Sequence, residues 1–208
     1  IKNITALFLF SLIFISCSPP ETPKCEILIK NGVIYDGSGN KSYNGIVAIK
    51  SDKVVYVGPS KQFEADSIID VNGMAIAPGF INMLSWGYNS LLDDGRGLSD
   101  LIQGVTLEVF GEGTSPGPRG SKSNSTYISF KDAMEKLEKK GVSTNIASYL
   151  GAASVRIQVM GYKNKKANHE ELKKMGQIVE EAMQDGAIGI GSSLIYAPGD
   201  YADTEELI

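Results

Sequence analysis

After Gly73 the chain repeats one rhythm, an apolar segment closed by glycine or serine and followed by a helix-forming stretch. FINML (80–84), GVTLEVFGEG (104–113), TNIASYLG (144–151) and AIGIGSS (187–193) are the apolar segments, each with the length of a buried strand. Between the first two, residues 98–103 fit a short helix. Ser129 opens FKDAMEKLEKKG, where Phe130, Ala133, Met134 and Leu137 share one helical face and Gly141 ends the pattern. Asn168 with Glu171 has the form of a capping box. The helix it opens carries the apolar stripe Leu172, Met175, Val179, Ala182 and Met183 and stops at Gly186. Strands alternating with helices build a parallel sheet, because parallel neighbours need a crossover between them. Four such units are half of a (β/α)8 barrel, a fold of about 250 residues. The expected fold class is therefore α/β.

The segment before this rhythm reads differently. EILIK, GVIYDG, GIVAIK, KVVYVG and SIIDV are short, β-rich and bounded by Asn-Gly, Gly-Ser-Gly and Gly-Pro, with Ser51-Asp52 as a two-residue hairpin turn. Without helices between them, they predict a small β-sandwich, or part of one, or a sheet. The expected organisation is a signal and tether over 1–24, this β-domain over 25–75, and four βα units over 76–208. Asp203 and Glu206 mark a new helix start just before Ile208, from which the chain is expected to be truncated within a longer barrel.

Residues 4–15 (ITALFLFSLIFI) form an apolar run after Lys2, too short for the ~20 residues of a spanning helix and suited to a signal-peptide core. Ser16-Cys17-Ser18 follows and resembles a bacterial lipobox, although Phe14 stands where leucine is usual. Cys17 is then the lipidation site, SPPETPK is the tether, and the protein is an extracytoplasmic, membrane-anchored lipoprotein of periplasm or cell surface. A plain secretory signal is the alternative. With Cys17 acylated, Cys25 has no disulfide partner. A net charge of -4, with Lys and Arg scattered, gives no electrostatic footprint for nucleic acid.

Five segments in order resemble the N-acyl-D-amino-acid deacylases (D-aminoacylases) of the amidohydrolase superfamily. They are ILIKNGVIYDGSG, APGFIN, QGVTLEVFGEG, NIASYLGAASVRIQVMG and GAIGIGSSLIYAPGDYADTEEL, and they cover the chain from Glu26 to its end. The resemblance implies a zinc-bearing barrel that hydrolyses the amide of small N-acylated D-amino acids. In such an enzyme a metal polarises the carbonyl and acidifies a bound water, and a carboxylate near that water acts as general base.

The ligands that the resemblance implies are largely replaced. Leu84 and Trp86 stand at the first-strand histidine pair, Gly113 stands at the cysteine of the second-strand turn, and Ala152 stands at the histidine after the third strand. Further ligands would lie beyond Ile208. Strand alternation points positions 84 and 86 the same way, so both fill the space of a first metal. At most a single zinc ion is then expected, with Glu112 as the one candidate metal ligand or base; an exposed turn carboxylate is the plainer reading of Glu112. Ser192, Ser193 and Tyr196 are expected to line the substrate pocket, or else to be ordinary loop packing. His169, at a helix start beside Lys165, Lys166 and Glu170, reads as a solvated residue rather than a ligand. GEGTSPG lacks the Lys-Ser/Thr of a phosphate loop, and Pro116 within it and Pro118 after it remove amide donors. Two functions follow: an amide hydrolase, or a metal-free binding protein for acylated amino acids or cell-wall fragments.

Overall fold

In the computed structural model, residues 21–120 and 126–208 are described. Cys17 and the apolar run before it lie outside the described residues. The chain divides into two compact units, one ending at Pro78 and one running from Gly79 to Ile208.

In the first unit the β-branched runs build β1 (Lys24–Ile34), β2 (Tyr43–Lys50), β3 (Lys53–Gly58), β4 (Glu64–Asp70) and β5 (Ala75–Ile76). They form one mixed sheet in the order β3-β2-β1-β4, with β5 also on β1. Asn31-Gly32, expected as a turn, instead lies inside β1 as an irregularity between Ile29 and Gly32. There Asn31 takes the left-handed conformation at φ 59, which asparagine tolerates. Ser51 at φ 56 turns the β2–β3 hairpin as read. Cys25, Leu28, Ile46 and Ala48 form the buried core, packed by Tyr56, Phe63 and Ala65. Cys25 is a free thiol that burial pushes up from its ordinary range.

In the second unit the parallel pairs are β6 (Phe80–Asn82) with β7 (Val105–Phe110), β7 with β8 (Asn145–Ser148), and β9 (Leu150–Gly151) with β10 (Ile190–Gly191). The expected strand 144–151 changes partner midway. Tyr149 N–H donates to Phe110 O at 2.9 Å, and the next amide, of Leu150, donates to Gly189 O at 2.9 Å. The strand expected over 80–84 stops at Asn82, whose side-chain oxygen accepts the Leu84 N–H at 3.2 Å and turns the chain. The strand expected over 187–193 shortens to two residues, because Gly189 at φ 150 breaks its regularity.

Helices α1 (Tyr88–Asp93), α2 (Leu98–Ile102), α3 (Phe130–Lys140), α4 (Ala152–Met160), α5 (His169–Gln184) and α6 (Thr204–Leu207) accompany these strands. Ser129 with Asp132, and Asn168 with Glu171, form reciprocal capping boxes. Each N-cap side chain contributes about 1 kcal/mol. The apolar faces then pack into two clusters. Phe130, Leu150, Val155, Met160 and Met175 centre one, and Tyr88, Leu91, Phe110, Ala133 and Leu137 the other.

Candidate functional site

The turns that follow β6, β7 and β10 meet at one end of the parallel strands. Their approach depends on missing side chains. A Cβ on Gly113 would lie 2.9 Å from Ser193 Cβ, and one on Gly191 would lie 2.3 Å from Gly111 O. Between these turns is a cleft of about 480 Å³ whose walls include Leu84, Trp86, Glu112, Thr114, Ser193 and Tyr196.

Glu112 is half-buried on this cleft, and its carbonyl accepts the Thr114 N–H at 2.8 Å, closing the turn. Ser193 and Tyr196 share the same wall, whereas Ser192 is exposed and does not line it. Leu84 and Trp86 do share the cleft, but not through strand alternation: β6 has ended, and they sit on the turn after it. Ala152 begins α4. His169 is exposed as the first residue of α5.

Between Leu84 and Trp86 lies the buried Ser85, and it reveals what the sequence reading missed. Ser85 Oγ donates to Glu108 Oε2 at 2.6 Å, and Thr144 Oγ1 donates to Glu108 Oε1 at 2.9 Å. Glu108 is 1% exposed, in the middle of β7. No cation pairs with it among the described residues, so these two hydroxyls are what offset its burial. The signal was present as a carboxylate inside the apolar run VTLEVF. A second cavity of about 530 Å³ adjoins this group and includes Asn82, Asp94, Ser99 and Asp100. The Arg96 guanidinium, hydrogen-bonded to Asp94, holds that carboxyl at about 2. Tyr88 is buried with its hydroxyl unpartnered, and the Arg119 guanidinium lies 4.9 Å from its ring centre. Desolvation raises the Tyr88 pKa, and the Arg119 charge opposes that shift.

Among the described residues no group of three or more His, Cys, Asp or Glu side chains could hold a metal ion. At the cleft the only carboxylate, imidazole or thiolate is Glu112. A catalytic zinc takes about three protein ligands and a water, so these residues do not fit one by themselves. The cleft offers instead a carboxylate acceptor, the hydroxyls of Thr114, Ser193 and Tyr196, and an apolar wall.

No protein-family model matches the chain. It is 28% identical over 204 residues to a D-aminoacylase of Alcaligenes xylosoxydans xylosoxydans, covering 92% of this chain and 42% of that protein. It is 26% identical over 198 residues to an N-acyl-D-aspartate deacylase of the same organism, covering 89% and 40%. The chain thus spans about two-fifths of the length of these curated relatives. A D-aminoacylase structure described for its binuclear metal centre superposes with a TM-score of 0.81 at 27% identity, over 88% of this chain and 41% of that one. An N-acyl-D-glutamate deacylase of Bordetella bronchiseptica, complexed with zinc and a phosphonate inhibitor, shares the fold at a TM-score of 0.80 and 23% identity, over 88% and 41%. The homologues and structural neighbours of this mixed α/β chain are D-aminoacylases and N-acyl-D-amino-acid deacylases, amidohydrolases that match it over about nine-tenths of its length.

Proposed function

We propose that the chain serves an amide hydrolase that deacylates N-acyl-D-amino acids, with residues 79–208 as the first four βα units of an amidohydrolase (β/α)8 barrel. The observation that carries the reading is the convergence of three strand-end turns on one cleft, in a chain whose homologues are deacylases. In parallel α/β folds the strand C-terminal ends are where substrates bind. Relatives described with zinc, copper or a binuclear centre support metal dependence of the reaction. The described residues do not supply such a centre, so their part here is binding and orientation. Glu112 accepts the substrate amide N–H, Ser193 and Tyr196 offer hydroxyls, and Leu84 and Trp86 exclude water.

The test is turnover by the full-length protein on N-acetyl-D-amino acids and their L-isomers, read by release of the free amino acid. Hydrolysis of the D-isomers in preference to the L-isomers is expected. Glu112→Gln, which loses one charged acceptor, should lower kcat/KM about five- to tenfold. Absence of turnover on every N-acyl-D-amino acid, with binding retained, would overturn the hydrolase and favour the binding protein.

We also propose that Cys17 is acylated and holds the protein at an extracytoplasmic membrane face. Among the described residues no helix is long and apolar enough to cross a membrane. Bacteria grown with a clickable fatty acid should label the wild type and leave Cys17→Ser unlabelled; equal labelling of both would refute the anchor.

A further inference from the structure

Glu108 is a carboxylate in an apolar strand, and its two oxygens serve different parts of the unit. Oε2 accepts the Ser85 hydroxyl at 2.6 Å, on the turn that follows β6, and Oε1 accepts the Thr144 hydroxyl at 2.9 Å, just before β8. In the parallel register Glu108 stands beside Asn82 and Ile146, so Thr144 lies toward the strand starts and Ser85 toward the strand ends. Only the Ser85 arm leads to the cleft. Ser85 is itself tightly held: its N–H donates to Val109 O at 3.0 Å, and its Oγ accepts the Gly87 N–H at 3.1 Å while donating to Glu108. These bonds fix the backbone that carries Leu84 and Trp86 on the cleft wall, and the Leu84 N–H is held by Asn82 Oδ1. A Cβ on Gly87 would lie 2.9 Å from Glu108 Oε2, so the turn sits directly against the carboxylate.

At 1% exposed, Glu108 is too enclosed to meet a substrate, and no cation balances it among the described residues. A leucine or methionine would fill this place in VTLEVF without the desolvation of a carboxylate. What an apolar side chain lacks is an acceptor for Ser85. We infer that Glu108 is a positioning residue: acting through Ser85, it fixes the turn that brings Leu84 and Trp86 to the cleft. That the turn serves hydrolysis rests on the proposed amide substrate; that Glu108 holds the turn does not.

Amide hydrogen exchange and turnover of the full-length protein separate positioning from support of the core. Glu108→Met removes the acceptor and keeps an apolar filling, so exchange at the Ser85 and Gly87 amides should quicken about tenfold relative to the α5 amides. Glu108→Gln can turn its carbonyl to Ser85 and its NH2 to the Thr144 hydroxyl, which accepts as well as donates. Exchange at 84–87 should then return to within about twofold of the wild type. Thr144→Val strips the other arm of the same carboxylate and should leave exchange at 84–87 unchanged relative to α5. In Glu108→Met, kcat/KM on N-acetyl-D-amino acids should fall about tenfold, because the residues that orient the substrate and exclude water have lost their fixed place. Exchange in Glu108→Met that rises no more at 84–87 than in α5, or a turn loosened equally by Thr144→Val, would make Glu108 a general support of the core and overturn the inference. So would a loosened turn with unaltered kcat/KM. If the wild type hydrolyses none of these substrates, the hydrolase reading falls, and the exchange pattern alone decides whether Glu108 holds the turn.

Discussion

Arg156→Ala is expected to destabilise the protein by about 3–5 kcal/mol, the usual cost of leaving one member of a buried ion pair without its partner. Arg156 is 1% exposed in α4 and pairs with Glu206, whose side chain is 7% exposed. Its second amino group donates to Lys165 O at 2.7 Å and reaches Lys163 O at 3.4 Å. One guanidinium thus ties α6 and the loop after α4 to the helix that begins at β9. Truncation removes all three bonds, leaves the largely buried Glu206 carboxylate without its cation and opens a cavity. Urea unfolding of the wild type, Arg156→Ala and Arg156→Met/Glu206→Leu separates these effects. The double variant should recover most of the loss, since well-packed apolar replacements avoid the desolvation of both charges. A loss below about 1 kcal/mol for Arg156→Ala would place the pair among exposed bridges instead.

That helix shows where sequence reading runs out. In Ala152–Met160 the residues Ala153, Ser154, Val155 and Arg156 are buried in succession, so α4 has no polar face and no apolar stripe to betray it. The helices α3 and α5 were legible because they lie on the surface, with a cap at Ser129 or Asn168 and a periodic face. The hairpin at Ser51 was legible for a similarly local reason. Parallel pairing of β1 with β4 was not, since register between distant segments leaves no short-range mark. At the site, Glu112, Ser193 and Tyr196 could be placed on strand ends because glycine turns punctuate the chain there. The Ser85–Glu108–Thr144 group could not, because its members lie 23 and 36 residues apart and meet only through β6–β7–β8 pairing.

Gly111→Ala tests whether those glycine turns determine the cleft, and a loss of roughly 2–5 kcal/mol is expected from two separable causes. Gly111 has φ 98, in the region that L-residues avoid, and a Cβ there would lie 2.1 Å from Tyr149 O. That oxygen belongs to the backbone between β8 and β9, just where the strand changes partners, so it cannot rotate away as a side chain would. The substitution must either move the 111–115 turn that carries Glu112 or displace the third strand. Gly141, the C-cap of α3, isolates the conformational part: it has φ 73, and an added Cβ would meet nothing within 4 Å. Gly141→Ala should therefore cost only about 1 kcal/mol. Denaturant unfolding of the two variants side by side gives the difference, which is the contact between strand ends. If Gly111→Ala costs no more than Gly141→Ala, the turns do not pack as described, and the geometry that brings Glu112 to Ser193 and Tyr196 loses its physical basis.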